Sequence, residues 1–361
     1  MTLDARLTRQ MSVGMKLYVR ELVRRLPLAA PDLSFRVVSN AQLETSGAVD
    51  RVALSDAAAA NGGLAEQFGL KRRLSAAQGS LVHFMSVYAP GTFREPHVCT
   101  IHDLIHLRFP HYFSWKVPLY YRLVVGPVAR SARLVITDAQ ATIADLEGYL
   151  GIAPQRVRVV PLAPSDAFYL DDDSRRRRAT QARERFRLEL PFFVYAGNHR
   201  PHKNLATLVA AWRRLEATAD LVITEDGPLE FEGSQGKAGG RLVRTGHVGQ
   251  EDIVGLYAAS AAAVQPSLFE GFGLTVLEAM AAGTPCIVAR TPVLVEVAAD
   301  AALSFAPNET DELVLCMQQV LGDPALADRL RAAGRKRAAD FSWRSTAAQT
   351  AAVYREALGA S

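Results

Sequence analysis

Short apolar runs alternate with longer amphipathic stretches along the whole chain. In the first half the runs fall at residues 35–39, 81–85, 97–101, 134–137 and 157–161. In the second half they fall at 192–196, 221–224, 242–245, 262–265 and 286–289. Most are continuously apolar rather than alternating, which predicts strands covered on both faces. Strands separated by helix-length segments predict parallel sheets with crossover helices, an α/β fold. The pattern breaks at Asp171-Asp172-Asp173-Ser174-Arg175-Arg176-Arg177-Arg178, a block of charge in which Ser174 is placed to cap a helix running toward Leu188. A boundary there gives an N-terminal domain over 1–172 and a second over 173–340. A last helix, capped by Ser342, occupies 341–361. No fixed-period repeat is present.

Length and composition agree with two domains. The chain has 361 residues, 49% hydrophobic and 22% charged, the balance of a globular protein. No apolar run approaches the roughly 20 residues that span a bilayer, and the N-terminus is too charged for a secretory signal. Cys99, Cys286 and Cys316 are far apart in apolar stretches, which predicts buried reduced thiols and a cytoplasmic setting. A net charge of +4 is too small to imply nucleic acid. It suits anionic small molecules or a membrane surface.

The most informative segment is residues 262–289, AAVQPSLFEGFGLTVLEAMAAGTPCIVA. It reads as a buried strand, a loop over 266–273, a helix over 274–282 ended by Gly283, and a further strand after Pro285. A glycine-containing loop feeding a helix N-terminus at the carboxyl end of a parallel strand presents free N–H groups to an anion. Glu270 and Glu278 frame that turn. A carboxylate repels phosphate, so both are suited to ligand hydroxyl groups. Taken singly, each reads better as a solvated surface residue, and the flanking Gly-Phe-Gly loop and helix reverse that balance. A second basic turn follows the strand at 192–196, where Gly197, Arg200 and Lys203 precede a helix, another phosphate-binding arrangement.

Glu270-Gly-Phe-Gly-Leu-Thr-Val-Leu-Glu278, preceded by Pro266-Ser267 and followed by Ala-Met-Ala-Ala-Gly-Thr-Pro, resembles the Glu-x7-Glu motif of retaining GT-B glycosyltransferases of family 4. The resemblance implies that Glu270 contacts the donor sugar and Glu278 the ribose. It also implies that amides around Phe272, Gly273, Leu274 and Thr275 hold the diphosphate. Gly197 and Lys203 match the family's Gly-x5-Lys phosphate motif. Asn198 stands where many members carry arginine, and Arg200 takes that part as in a subset. His102-Asp103 resembles the first-domain pair whose histidine faces the donor sugar, with Asp103 fixing local structure. Gly14 takes the place of the N-terminal glycine loop. Val248 matches a backbone contact to the nucleobase, and Asp226-Gly227-Pro228 a turn beside the nucleotide. Members usually carry a few more residues ahead of the first strand, here residues 1–4.

The resemblance implies a GT-B fold, two Rossmann-like doubly wound domains facing a central cleft, with the last helix returning to the first domain. It implies transfer of a hexose, with mannose favoured, from GDP-mannose or a UDP-sugar to a glycan or lipid-linked acceptor in surface polysaccharide biosynthesis. No metal and no other cofactor is expected, because fixed cations take the place of an ion. His102 and His106 stand four apart, but His102 ends a strand, so they need not share a helical face, and with no third clustered histidine or cysteine a metal site is disfavoured. Lys16, Arg20, Arg24 and Arg25 with Leu17, Tyr18, Leu22 and Leu26 make the helix after Gly14 either an ordinary amphipathic helix or a peripheral contact for anionic lipid at the inner face of the plasma membrane. A non-catalytic GT-B scaffold is the competing reading. An NAD-dependent oxidoreductase would carry Gly-x-Gly-x-x-Gly after the first strand, where this chain has Asp4-Ala5-Arg6.

Overall fold

The computed structural model describes residues 1–8, 11–54, 69–75, 81–225, 227 and 236–359. Two compact units emerge, Met1–Leu162 with Ser342–Ser361, and Ala163–Phe341. The division falls ahead of the charged block expected to carry it. That block is instead a helix, Asp172–Phe186, whose N-cap is Asp171: its carboxylate accepts from Ser174 N at 2.7 Å. Ser174, expected as the cap, lies in the first turn. An aspartate there also answers the helix dipole.

The first unit is built on a seven-stranded parallel sheet. Its strands are β1 (Thr2–Asp4), β2 (Arg36–Ser39), β3 (Asp50–Ala53), β4 (Val82–Phe84), β5 (His97–Thr100), β6 (Leu134–Thr137) and β7 (Val157–Val159), in the order β3-β2-β1-β4-β5-β6-β7. The second unit has a six-stranded parallel sheet of β8 (Phe192–Tyr195), β9 (Asp220–Thr224), β10 (Leu242–Gly246), β11 (Ala262–Gln265), β12 (Cys286–Ala289) and β13 (Leu303–Phe305), in the order β10-β9-β8-β11-β12-β13. Both orders reverse direction once, between β1 and β4 and between β8 and β11. Ligands of open α/β sheets bind at the carboxyl ends of strands beside such a reversal. The two strands without a sequence signal, β3 and β13, are outer strands. β3 is largely exposed, so it lacks the continuous apolar run that marks the inner ones.

Each core lies between sheet and helices. Phe192, Phe193, Leu221, Val222, Ile223 and Ile287 fill the second unit's inner strands. The three cysteines are free and buried, as expected. The last helix, Trp343–Leu358, is capped by Ser342 Oγ, which accepts from Ser345 N at 3.1 Å, and it belongs to the first unit. Thr346 donates to Pro161 O at 2.7 Å, and Trp343, Ala347, Ala351 and Tyr354 are buried. The Val13–Ala29 helix packs against it. That helix buries Tyr18, Leu22 and Leu26, while Glu21 pairs with both Arg24 and Arg25. Its apolar face is core, so the lipid-contact reading of this helix is not supported.

Candidate functional site

In the second unit, the chain leaving β8 and the chain leaving β11 are bound to each other at the topological reversal. Leu268 N donates to His202 O at 2.8 Å, and Asn204 Nδ2 donates to Pro266 O at 3.2 Å. Asn204 is held in the left-handed region at φ +55°, which asparagine tolerates better than most residues. The short turn Pro201–Lys203 thereby aims Lys203 at the other loop. Its Nζ donates to Oε1 and Oε2 of Glu270, each at 2.7 Å. Two residues quoted from separate motifs are thus one ion pair.

Gln265, the last residue of β11, completes the cluster. Its Nε2 donates to Glu270 Oε1 at 2.6 Å and to Ser267 Oγ at 2.8 Å. Its Oε1 accepts from Thr275 Oγ1 at 3.3 Å. Burial pushes the Glu270 carboxyl up, but the Lys203 charge and the hydrogen bonds from Lys203, Ser267 and Gln265 outweigh it and hold it below the usual range. The Thr275 hydroxyl proton goes to Gln265, and the Thr275 backbone amide is the group left for a phosphate. The amides of Leu274 and Thr275, the first two of the Leu274–Ala281 helix, have no intrahelical partner, whereas Val276 N donates to Gly273 O at 3.0 Å. The helix is entered through Gly273 at φ +90°, and Phe272 is buried with its ring edge-on to Phe341 at 5.9 Å. The helix end also matches the sequence reading, with Gly283 at φ +77°.

Glu278, one turn further on, is half-buried, and its carboxylate makes no hydrogen bond or ion pair among the described residues. Burial pushes its carboxyl up to about 8. Gly197 sits at φ +148° in the turn after β8, where a Cβ would come within 3.0 Å of the Tyr195 hydroxyl. Arg200 is exposed. Val248 lies after β10 in the turn leading to Gly249, the cap of the Gln250–Ala259 helix. Asp226 and Pro228 lie outside the described residues. Gly227 O accepts from Arg244 Nη2 at 2.8 Å.

The first unit holds the other residues. His102 follows β5, and its Nδ1–H donates to Asp138 Oδ2 at 2.7 Å. Asp138 follows β6, the neighbouring strand. Burial lowers the His102 pKa; the charge and hydrogen bond of Asp138 raise it and, with Asp103 and the Met85 carbonyl, win overall. Tyr18 packs edge-on against the ring at 4.8 Å, and its hydroxyl pairs with Thr100 Oγ1 at 2.8 Å. Asp103 Oδ1 accepts from Ile105 N at 3.0 Å, the local role expected of it. His106 turns instead to the Tyr121 hydroxyl at 3.1 Å, so the two histidines have different partners. Gly14 lies in the first turn of the Val13–Ala29 helix, capped by Ser12 Oγ accepting from Met15 N at 3.2 Å.

Sequence reasoning missed Gln265 and Asp138. Both had a signal: a polar residue directly closing a continuously apolar strand, at the end where ligands bind.

The glycosyl transferases group 1 model matches residues 176–337, and the glycosyltransferase family 4 model matches residues 14–163. An MMP alpha-(1->4)-mannosyltransferase of Mycolicibacterium hassiacum is 31% identical over 68% of this chain, a stretch spanning 60% of that relative. An O-antigen chain mannosyltransferase B of Escherichia coli is 27% identical over 74% of this chain and 74% of its own length. The sucrose-phosphate synthase of Thermosynechococcus elongatus has the same fold, with a TM-score of 0.75 over 100% of both chains at 22% identity.

Proposed function

The chain belongs to the GT-B glycosyltransferases of family 4, and from that premise we propose that it transfers a hexose from a nucleotide-sugar donor to a glycan or lipid-linked acceptor, with retention at the anomeric carbon. Mannose is the sugar favoured, because the two relatives named above that were found by sequence, those of Mycolicibacterium hassiacum and Escherichia coli, are mannosyltransferases. GDP-mannose is then the first donor to test and UDP-sugars the second. The O-antigen chain mannosyltransferase among the relatives supports a role in surface polysaccharide assembly.

The observation that carries this reading is the Lys203–Glu270 pair, joined through Gln265 to Thr275 in the first turn of the Leu274–Ala281 helix. The reaction needs a cation and free amides beside a departing diphosphate, and a carboxylate beside the sugar. Lys203, two of whose three protons go to Glu270, has a third for a phosphate oxygen. The amides of Leu274 and Thr275 and the dipole of their helix add fixed positive potential, and the exposed Arg200 adds a bidentate donor. These groups stabilise the leaving group without a metal ion. Glu270, ionised, accepts from donor hydroxyls. Glu278 serves the ribose and Val248 the base. His102, held in one tautomer by Asp138, presents Nε2 to the donor sugar. Gly14 leaves room for the diphosphate.

Thermal unfolding against GDP, UDP, ADP and NAD, with Lys203→Ala alongside, tests the reading. Ligands that bind the native state raise the melting temperature by mass action. A rise with one nucleoside diphosphate, lost in Lys203→Ala, is the expected result. A rise with NAD alone, or with none, returns the assignment to an oxidoreductase or a scaffold. Transfer that is abolished by chelation and restored by magnesium would remove the metal-independent part.

A further inference from the structure

Residues 104–137 of the first unit contain no Asp or Glu, yet carry Arg108, Lys116, Arg122, Arg130 and Arg133. The whole chain, by contrast, sets 37 acidic against 41 basic residues. Within this stretch the helix Lys116–Tyr120 runs through a π-turn, Tyr121–Val125, into the helix Gly126–Ser131. Its inner face, with Tyr121, Val125, Val128 and Ala129, belongs to the core. Its outer face is also apolar. Trp115, Leu119 and Leu123 are 72%, 42% and 61% exposed, and Tyr112 just ahead of them is 39% exposed. Residues four apart share one side of a helix. The other two tryptophans, Trp212 and Trp343, are buried.

Lys116 and Arg122 are exposed beside this stripe, and neither has an acidic partner among the described residues. Lys116 Nζ lies over the Trp115 ring, 6.0 Å from its centroid, and an aromatic and aliphatic stripe edged by cations without acidic partners matches the boundary between anionic headgroups and acyl chains. A second copy of the chain fits less well. A two-fold contact would bring the same cations together with no acid between them.

We propose that the face formed by Tyr112, Trp115, Leu119 and Leu123, with Lys116 and Arg122, seats the protein on the surface of an anionic lipid bilayer. The ring of Trp115 and the two leucines enter the headgroup boundary, and the cations engage lipid phosphates. No nucleotide sugar or transfer is involved, so this proposal stands or falls separately from the donor reading.

The experiment is vesicle flotation of the full chain with phosphatidylcholine alone and with added phosphatidylglycerol, read together with tryptophan emission. Because Trp115 is the exposed tryptophan, a blue shift on binding reports its insertion. The expected result is flotation and a blue shift with anionic vesicles, weakening as salt rises. Trp115→Ser with Leu123→Ser removes both. Lys116→Gln with Arg122→Gln weakens binding about 25-fold, about fivefold per charge. Leu315→Ser, at an exposed apolar residue of the second unit, binds as the parent chain does, and circular dichroism melts show the variants folded. Absence of flotation on anionic vesicles at low salt, or equal binding to both vesicle types, overturns the proposal. So does a solution dimer that Trp115→Ser with Leu123→Ser converts to monomer.

Discussion

At the residue scale, the second unit holds two glutamates in opposite electrostatic states. Glu270 has a cation and two hydrogen-bonded neighbours; Glu278 has burial alone. For Glu278 the folded-state value near 8 lies above the unfolded one. Folding is therefore favoured most below pH 4.5, and stability drains away as pH rises toward 8, where the unfolded chain is ionised and the folded one resists ionisation. Glu278→Gln removes that dependence. Its melting temperature without ligand should exceed the parent's at pH 8, with the gap closing toward pH 4.5, while its response to nucleoside diphosphate shrinks. In the first unit, Asp138→Asn leaves His102 with burial as its dominant influence. The His102 titration, followed by NMR, should move from above the ordinary 6.5 to below it. In the parent chain the stability from protonated His102 is present below about 6.5 and is lost as pH passes its raised value.

At the element scale, two strand-to-helix turns make the candidate donor site, one entering its helix through left-handed Asn204 and the other through Gly273. Gly273 enters its helix at φ +90°, and a Cβ there would stand 3.0 Å from Leu294 Cδ2. Gly273→Ala should cost about 1–2 kcal/mol in chemical denaturation and weaken the nucleotide response by shifting the first-turn amides. Gly148 is the contrast. It lies inside the Thr142–Leu150 helix with nothing within 4 Å of an added Cβ. Gly148→Ala should stabilise by about 0.5–1 kcal/mol. The same logic explains why β8, β11 and β12 were visible in the sequence, while β3 and β13 were not. Inner strands need apolar residues on both faces, and outer strands do not.

At the scale of the molecule, the chain is two parallel-sheet units, each with its own core and its own strand-order reversal. A nucleoside diphosphate held by Lys203 and the Leu274–Ala281 helix should slow amide exchange at residues 196–205 and 265–278. Protection confined to the first unit would contradict the assignment of the donor to the second. The alternation of apolar runs and helix-length segments was enough to establish two α/β domains, because period and length are local properties of the chain. The glycine loop, its helix and both glutamates were legible for the same reason: their geometry is set within one strand-turn-helix segment. Tertiary structure alone decided that Lys203 answers Glu270 and that Asp138 orients His102. These partners are brought together by neighbouring strands whose order in the sheet no local pattern records, whereas Gln265, Glu270 and Thr275 meet within one strand-turn-helix segment. Tertiary structure also decided which apolar helix face is core and which is left open. The Val13–Ala29 helix and the Lys116–Tyr120 helix both carry apolar and basic residues, and only packing separates the covered face from the exposed one.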